Sequence, residues 1–233
     1  MRQQHTIAGG GGVALNVLEG GRPDGPPILF VHGWSQTALC WDKQFASALA
    51  DEFRLVALDL RGHGLSAAPA DPAAYTDGAC WAADVHAVIG ALGLERPVLV
   101  GWSYGGIVVT DYLRAHGDAA LAGINFVGAS IRMLPDVAGT LIGPAFPECL
   151  HAMIAPDLMT NIDGVRRFMA VCFAVKLSRA DYERALCANM TVRPDVRLAA
   201  VSRAVDADDV VRAVRVPVLV SHGRRDPLTL PAM

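Results

Sequence analysis

The segment VLVGWSYGG, Val98 to Gly106, decides the fold. Three apolar residues with β-branched ends read as a short buried strand, and YGGIVVTDYLRAHG, Tyr104 to Gly117, follows with helical spacing and a closing glycine. Between them lies Gly101-Trp102-Ser103-Tyr104-Gly105, the pattern G-x-S-x-G in the strand-to-helix context that gives it meaning. A turn that sharp forces Ser103 into strained backbone angles and lifts its hydroxyl clear of the sheet. Residues two places to either side must be small, or they would strike the neighbouring strand and helix. The helix that follows aims its free N–H groups at the same point, where they favour a developing negative charge.

The same alternation extends in both directions. PPILFVHG, FRLVALDL, LAGINFVGAS and VRVPVLVSHG are apolar strand runs, whereas CWDKQFASALA and ACWAADVHAVIGALGL carry helical spacing. Strands apolar on both faces predict a mostly parallel sheet wrapped by helices, an α/β fold. The opening HTIAGGGGVALNVLEGG reads as a glycine-rich antiparallel hairpin at one edge. From Ser130 to Val210 the strand rhythm stops, and DGVRRFMAVCFAVKL and RADYERALCANM read as helices. One crossover needs only a dozen or so residues, so this stretch is expected to be a helical lid. The expected organisation is a core over 1–130, a lid over 131–210, and the core resumed over 211–233.

Composition sets the outer limits. The chain has 233 residues, 52% of them hydrophobic and 18% charged, which suits a folded domain and excludes a disordered one. A net charge of −3 without a Lys/Arg cluster argues against nucleic acid as a partner. The apolar stretch Pro97–Thr110 is too short to span a bilayer, and MRQQHTIAGGGG lacks the apolar centre of a secretory signal, so a cytoplasmic protein without membrane association is expected. Five scattered cysteines without a CxxC read as buried free thiols, and no metal site is expected.

Taken in order, these motifs resemble the α/β-hydrolase family over nearly the whole chain. HGWSQT, His32 to Thr37, is similar to that family's segment after its third strand. By that resemblance the backbone N–H groups of Trp34 and Tyr104 form an oxyanion hole, and Ser103 is the nucleophile. DLRGHGLS, Asp59 to Ser66, is similar to a loop whose Asp59, Arg61 and His63 are mostly structural. HGRRDP places Asp226 as the triad acid, which would orient a histidine and stabilise its imidazolium. The resemblance implies a serine hydrolase working on carboxylic esters through an acyl-enzyme, needing no cofactor. A serine here argues against dehalogenases and epoxide hydrolases, which use aspartate. Cofactor-free haloperoxidase (perhydrolase) and enol-lactonase activities stay open, as does a non-catalytic binding chain.

The family order also calls for a histidine after the acid, and none follows Asp226. His222 sits on the strand that carries Asp226 and reads as a strand-end cap. His32 is expected to be structural, His86 and His116 to lie on helices away from the site, His151 to be exposed on the lid, and His63 to occupy a mobile loop. The expectation is a hydrolase fold cut off before its last strand, helix and general base. It leaves the strand before His222 as an open edge suited to self-association. Trp34, Trp102 and Met133 are expected to bind a small ester substrate, together with Tyr104 and the lid methionines Met153, Met159 and Met169.

Overall fold

A computed structural model describes residues 2–137 and 139–233; Met1 and Ala138, which fall in the expected core and lid ranges, lie outside the described residues. In chain order the strands are β1 (Gln3–Ala8), β2 (Ala14–Gly21), β3 (Pro27–Val31), β4 (Arg54–Leu58), β5 (Val98–Trp102), β6 (Gly123–Val127), β7 (Arg132–Met133), β8 (Val205–Asp206) and β9 (Val218–Ser221). Seven of them form one sheet in the order β1-β2-β4-β3-β5-β6-β9. The β1–β2 and β2–β4 pairings are antiparallel and the other four are parallel. The edge hairpin and parallel centre follow the sequence pattern.

Alternation along the central strands shows why they are apolar apart from Arg54 of β4 and Asn125 of β6. Leu29 and Val31 of β3, with Val56 and Leu58 of β4, pack into the larger core on one face. Ile28 and Phe30, with Leu55 and Ala57, pack into a smaller core on the other, against Trp41 and Phe45. A strand buried on both faces has no polar side to display.

Ten helices surround the sheet among the described residues. The first three are single turns: α1 (Asp42–Phe45), α2 (Leu49–Glu52) and α3 (Ala73–Thr76). The helix expected over 40–50 is therefore broken. The Ser47 hydroxyl donates to the Gln44 carbonyl (2.8 Å) and accepts from the Leu49 amide (3.3 Å), so a side chain replaces helical backbone bonds at the break. Next come α4 (Gly78–Ala91), capped by the Asp77 carboxylate, and α5 (Tyr104–His116), closed by Gly117 at φ 69°.

The insertion holds α6 (Ala145–Met153), α7 (Leu158–Cys172), α8 (Arg179–Met190) and α9 (Pro194–Val201), before α10 (Asp208–Ala213) leads into β9. Asp157 and Ser178 cap α7 and α8 by accepting from the Thr160 and Asp181 amides. Sequence reading expected no strand here, but β7 and β8 pair antiparallel, Arg132 opposite Asp206 and Met133 opposite Val205. Two residues are too few to show a period, yet they tie the two ends of the insertion together.

At the far end of the sheet, β9 pairs only with β6 among the described residues. Its Val218, Leu219 and Val220 are 44%, 58% and 66% exposed.

Candidate active site

Ser103 sits between β5 and α5 at φ 53°, ψ −120°, a conformation that costs a side-chain-bearing residue on the order of 1–3 kcal/mol. Its neighbours hold it there. The Ser103 amide donates to the Val127 carbonyl (3.1 Å), and its own carbonyl accepts from Gly106 (2.9 Å) and Ser130 (3.0 Å). The glycines are steric requirements. A Cβ on Gly101 would lie 2.8 Å from the Gly105 carbonyl oxygen, and one on Gly105 would collide with the Val31 carbonyl. On Gly106 it would come within 2.6 Å of the Ala129 Cβ.

The loop after β3 abuts the serine: a Cβ on Gly33 would be 3.0 Å from the Ser103 Cβ. Two buried histidines hold this loop. His32 Nε2 accepts from the Leu60 amide (3.0 Å), which leaves the proton on Nδ1 to donate to the Gly33 carbonyl (2.8 Å). His63 Nε2 accepts from the Ser35 amide (3.3 Å) while Nδ1 donates to the Arg61 carbonyl (2.9 Å). Burial pushes His32 down to about 4, and burial with His32 as neighbour pushes His63 to about 3. Both rings are neutral, and both are structural. His63, expected on a mobile loop, is instead 1% exposed, because its loop folds inward around Asp59. The Asp59 carboxylate accepts from Asn16 Nδ2 and from the Ala38 and Leu65 amides. Arg61 forms a buried ion pair with Asp84 (2.7 Å) and donates to the Gly10, Ala74 and Cys80 carbonyls.

Neither the Trp34 nor the Tyr104 amide donates to another protein group among the described residues, so both N–H groups are free. Their side chains turn instead toward α9. The Trp34 indole N–H donates to the Arg197 carbonyl, and the Tyr104 hydroxyl to the Ala200 carbonyl, both at 3.0 Å. Burial raises the Tyr104 hydroxyl to about 12, so it stays a donor. Phe146 of α6 and Phe168 of α7 pack edge-on to Trp34 at 5.3 and 5.6 Å between ring centres.

Arg197 itself is fully buried, with no carboxylate paired to it among the described residues. It donates to Ser35 Oγ (2.9 Å), the Met153 carbonyl (2.7 Å), Asn161 Oδ1 (2.8 Å) and the Asn189 carbonyl (2.5 Å). One guanidinium therefore joins α6, α7 and α8 to the residue after Trp34. Sequence reading missed it, since an arginine on an amphipathic helix ordinarily points to water.

Two cavities meet at Ser103, and Trp34 and Phe168 line both. One, of about 410 Å³, is lined also by Trp102, Asp226, Arg224 and Arg225. The other, of about 220 Å³, is mostly apolar, with Met133, Phe146 and Leu150 among its walls, and its polar lining includes Arg132, Tyr104, Ser130 and Thr229. Of the four methionines expected in a lid, Met133 lines this second cavity. Met153 and Met169 are packed in the core, and Met159 is 61% exposed, so these three do not form the expected pocket wall. The thiols are all free, and Cys149 is buried as expected, but Cys187 is exposed on α8.

Asp226 stands on the turn after β9, two strands from β5. Its Oδ1 accepts from the Leu228 (2.9 Å) and Thr229 (3.1 Å) amides, while Oδ2 is left without a hydrogen-bond donor among the described residues. His222 Nε2 lies 3.8 Å from that oxygen but donates to the Thr229 carbonyl at 2.8 Å, as a strand-end cap does. His86 and His116 stack on each other at 4.2 Å on α4 and α5, and His151 is exposed on α6. None of the seven histidines of the sequence lines either cavity. No group of three or more metal-ligating side chains is present among the described residues.

These features define an α/β hydrolase. The model of the alpha/beta hydrolase family matches residues 28–233, and the chain belongs to that family. A solved structure from Burkholderia cenocepacia, described provisionally as an aryl esterase, is 38% identical with a TM-score of 0.92, over 98% of this chain and 82% of that one. A non-heme haloperoxidase from Rhodococcus erythropolis is 29% identical over 88% of this chain and 76% of its own length. EphD of Mycobacterium bovis, described provisionally as an oxidoreductase, is 40% identical over 107 residues, 46% of this chain; the chain spans only 18% of that relative's length. Among the described residues no helix is long and apolar enough to cross a membrane.

Proposed function

We propose that the chain is built as a serine hydrolase for carboxylic esters. The observation that carries this reading is the strained turn at Ser103, which opens onto a cavity shared with Asp226. Ser103 would attack the acyl carbon as its proton passes to a base, the oxyanion would rest on the free amides of Trp34 and Tyr104, the alcohol would leave with that proton, and water would release the acid from the acyl-enzyme. Donors already in place need no reorganisation, and removing one typically costs roughly 10²–10³ in rate. A carboxylate with one unengaged oxygen, as Asp226 has, suits the triad role of orienting an imidazole and stabilising its charged form. The esterase described for the Burkholderia protein supports ester substrates, and the haloperoxidase relative supports peroxide as an alternative to water on the same acyl-enzyme.

One observation favours a second reading, a ligand-binding chain with little turnover: no histidine faces either cavity. Loss of the histidine from a subtilisin-type triad costs on the order of 10⁶ in turnover. A fluorophosphonate probe decides between the two. Labelling that disappears in Ser103→Ala supports an activated nucleophile. Absence of labelling, with no hydrolysis of p-nitrophenyl acetate, supports the second reading and refutes the first for this chain.

A further inference from the structure

We infer that Arg132 makes the apolar cavity beside Ser103 selective for acyl groups whose far end carries a neutral hydrogen-bond acceptor, such as a keto or ether oxygen. Among the described residues Arg132 is the only charged one lining that cavity, whose walls include Met133, Phe146 and Leu150. Its backbone is fixed by the β7–β8 pairing opposite Asp206. Its Nη2 lies 3.4 Å from Asp206 and 3.8 Å from Asp136, both carboxylates partly exposed. Its Nε is the unusual atom: buried, and without an acceptor among the described residues. A buried N–H that has lost water and gained no partner is costly, and a small rotation of the side chain toward the cavity would let a ligand oxygen recover that loss.

The charges around Arg132 define the oxygen. Two carboxylates face one guanidinium, so the trio already carries an excess negative charge, and a third carboxylate would meet repulsion. A neutral acceptor would not. The cavity, of about 220 Å³, limits the acyl group to a short one. A 4-oxopentanoyl group fits that description.

The choice of esters rests on the serine-hydrolase reading, but the test reads binding and not turnover. Methyl 4-oxopentanoate, methyl pentanoate and monomethyl glutarate are titrated by ligand-observed NMR into the full chain carrying Ser103→Ala. The keto ester should bind about tenfold more tightly than methyl pentanoate, the size of a hydrogen bond to a charged donor. Monomethyl glutarate should gain nothing over methyl pentanoate. Adding Arg132→Met should erase the keto advantage over methyl pentanoate. Asp206→Asn, which keeps Arg132 in place and removes one carboxylate, should raise glutarate binding severalfold. Equal binding of the keto ester and methyl pentanoate, a keto advantage that survives Arg132→Met, or glutarate as the preferred ligand in the Ser103→Ala chain would each overturn the assignment. Failure of fluorophosphonate labelling would leave all these binding results standing.

Discussion

Lowering the pH from 7.5 to 5 should strip this fold of about 4 kcal/mol through His32 and His63 alone. Each ring accepts a hydrogen bond from a backbone amide at Nε2, so neither can take a second proton without breaking that bond inside a dry core. Their folded values, about 4 and about 3, lie far below the 6.5 of the unfolded chain. Below pH 6.5 the unfolded state therefore binds protons that the folded state refuses. Stability is complete above 6.5 and falls as pH drops, until each folded value is reached. At ~1.36 kcal/mol per pH unit per group, 1.5 units of acidification remove about 2 kcal/mol for each ring. That is a large part of the roughly 5–15 kcal/mol by which domains are stable. With a urea slope of about 2 kcal/mol per molar, the unfolding midpoint should move down by about 2 M. The assay is urea unfolding followed by tryptophan emission at pH 7.5, 6 and 5, on the parent chain, His63→Gln, and the His32→Gln/His63→Gln pair. The variants start less stable, but the single should show about half of the histidine-dependent loss and the pair none of it. Subtraction cancels the carboxylates common to all three. A midpoint that does not move between pH 7.5 and 5, or that moves equally in the parent and the pair, would refute the reasoning.

Two other perturbations test the scaffold. Arg197→Met keeps the volume but removes the donor shared by Ser35, Met153, Asn161 and Asn189; hydrogen exchange should accelerate together in α6, α7, α8 and the 34–36 loop, with a stability loss of about 2–4 kcal/mol. Faster exchange in one helix alone would show that the guanidinium joins nothing. Val220→Lys places a charge on the 66%-exposed residue of β9, and should lower any concentration-dependent association seen by analytical ultracentrifugation; association unchanged by the lysine would free that edge from blame.

How far the sequence could be read depended on whether a feature left a local pattern. The sheet was legible because a strand buried on both faces must be largely apolar, as β3 and β5 are throughout, β4 is beyond Arg54 and β6 is apart from Asn125. The turn at Ser103 was legible because part of its sterics acts within five residues: Gly101 faces the Gly105 carbonyl across the turn, whereas Gly105 is hemmed in by Val31 of the distant β3. Helices α7 and α8 announced themselves by spacing, whereas their caps, Asp157 and Ser178, emerged only from the structure. The failures share a different cause. His63 sits in a glycine-rich loop that reads as mobile, and only Asp59, reaching Asn16 and Ala38 from either side, folds that loop into the core. Arg197 looks like a solvated helical arginine until three other helices supply its acceptors. Arg132 belongs to a two-residue strand whose partner lies more than seventy positions away. Each of these side chains owes its role to groups distant in sequence. A buried polar group has to find partners from whatever element packs against it, and no periodicity records that search. The same logic explains why the apolar walls of the cavities were only partly foreseen. Met133 and Met153 are chemically alike, and only the packing of α6 and α7 against Trp34 decides that one meets the cavity and the other the core.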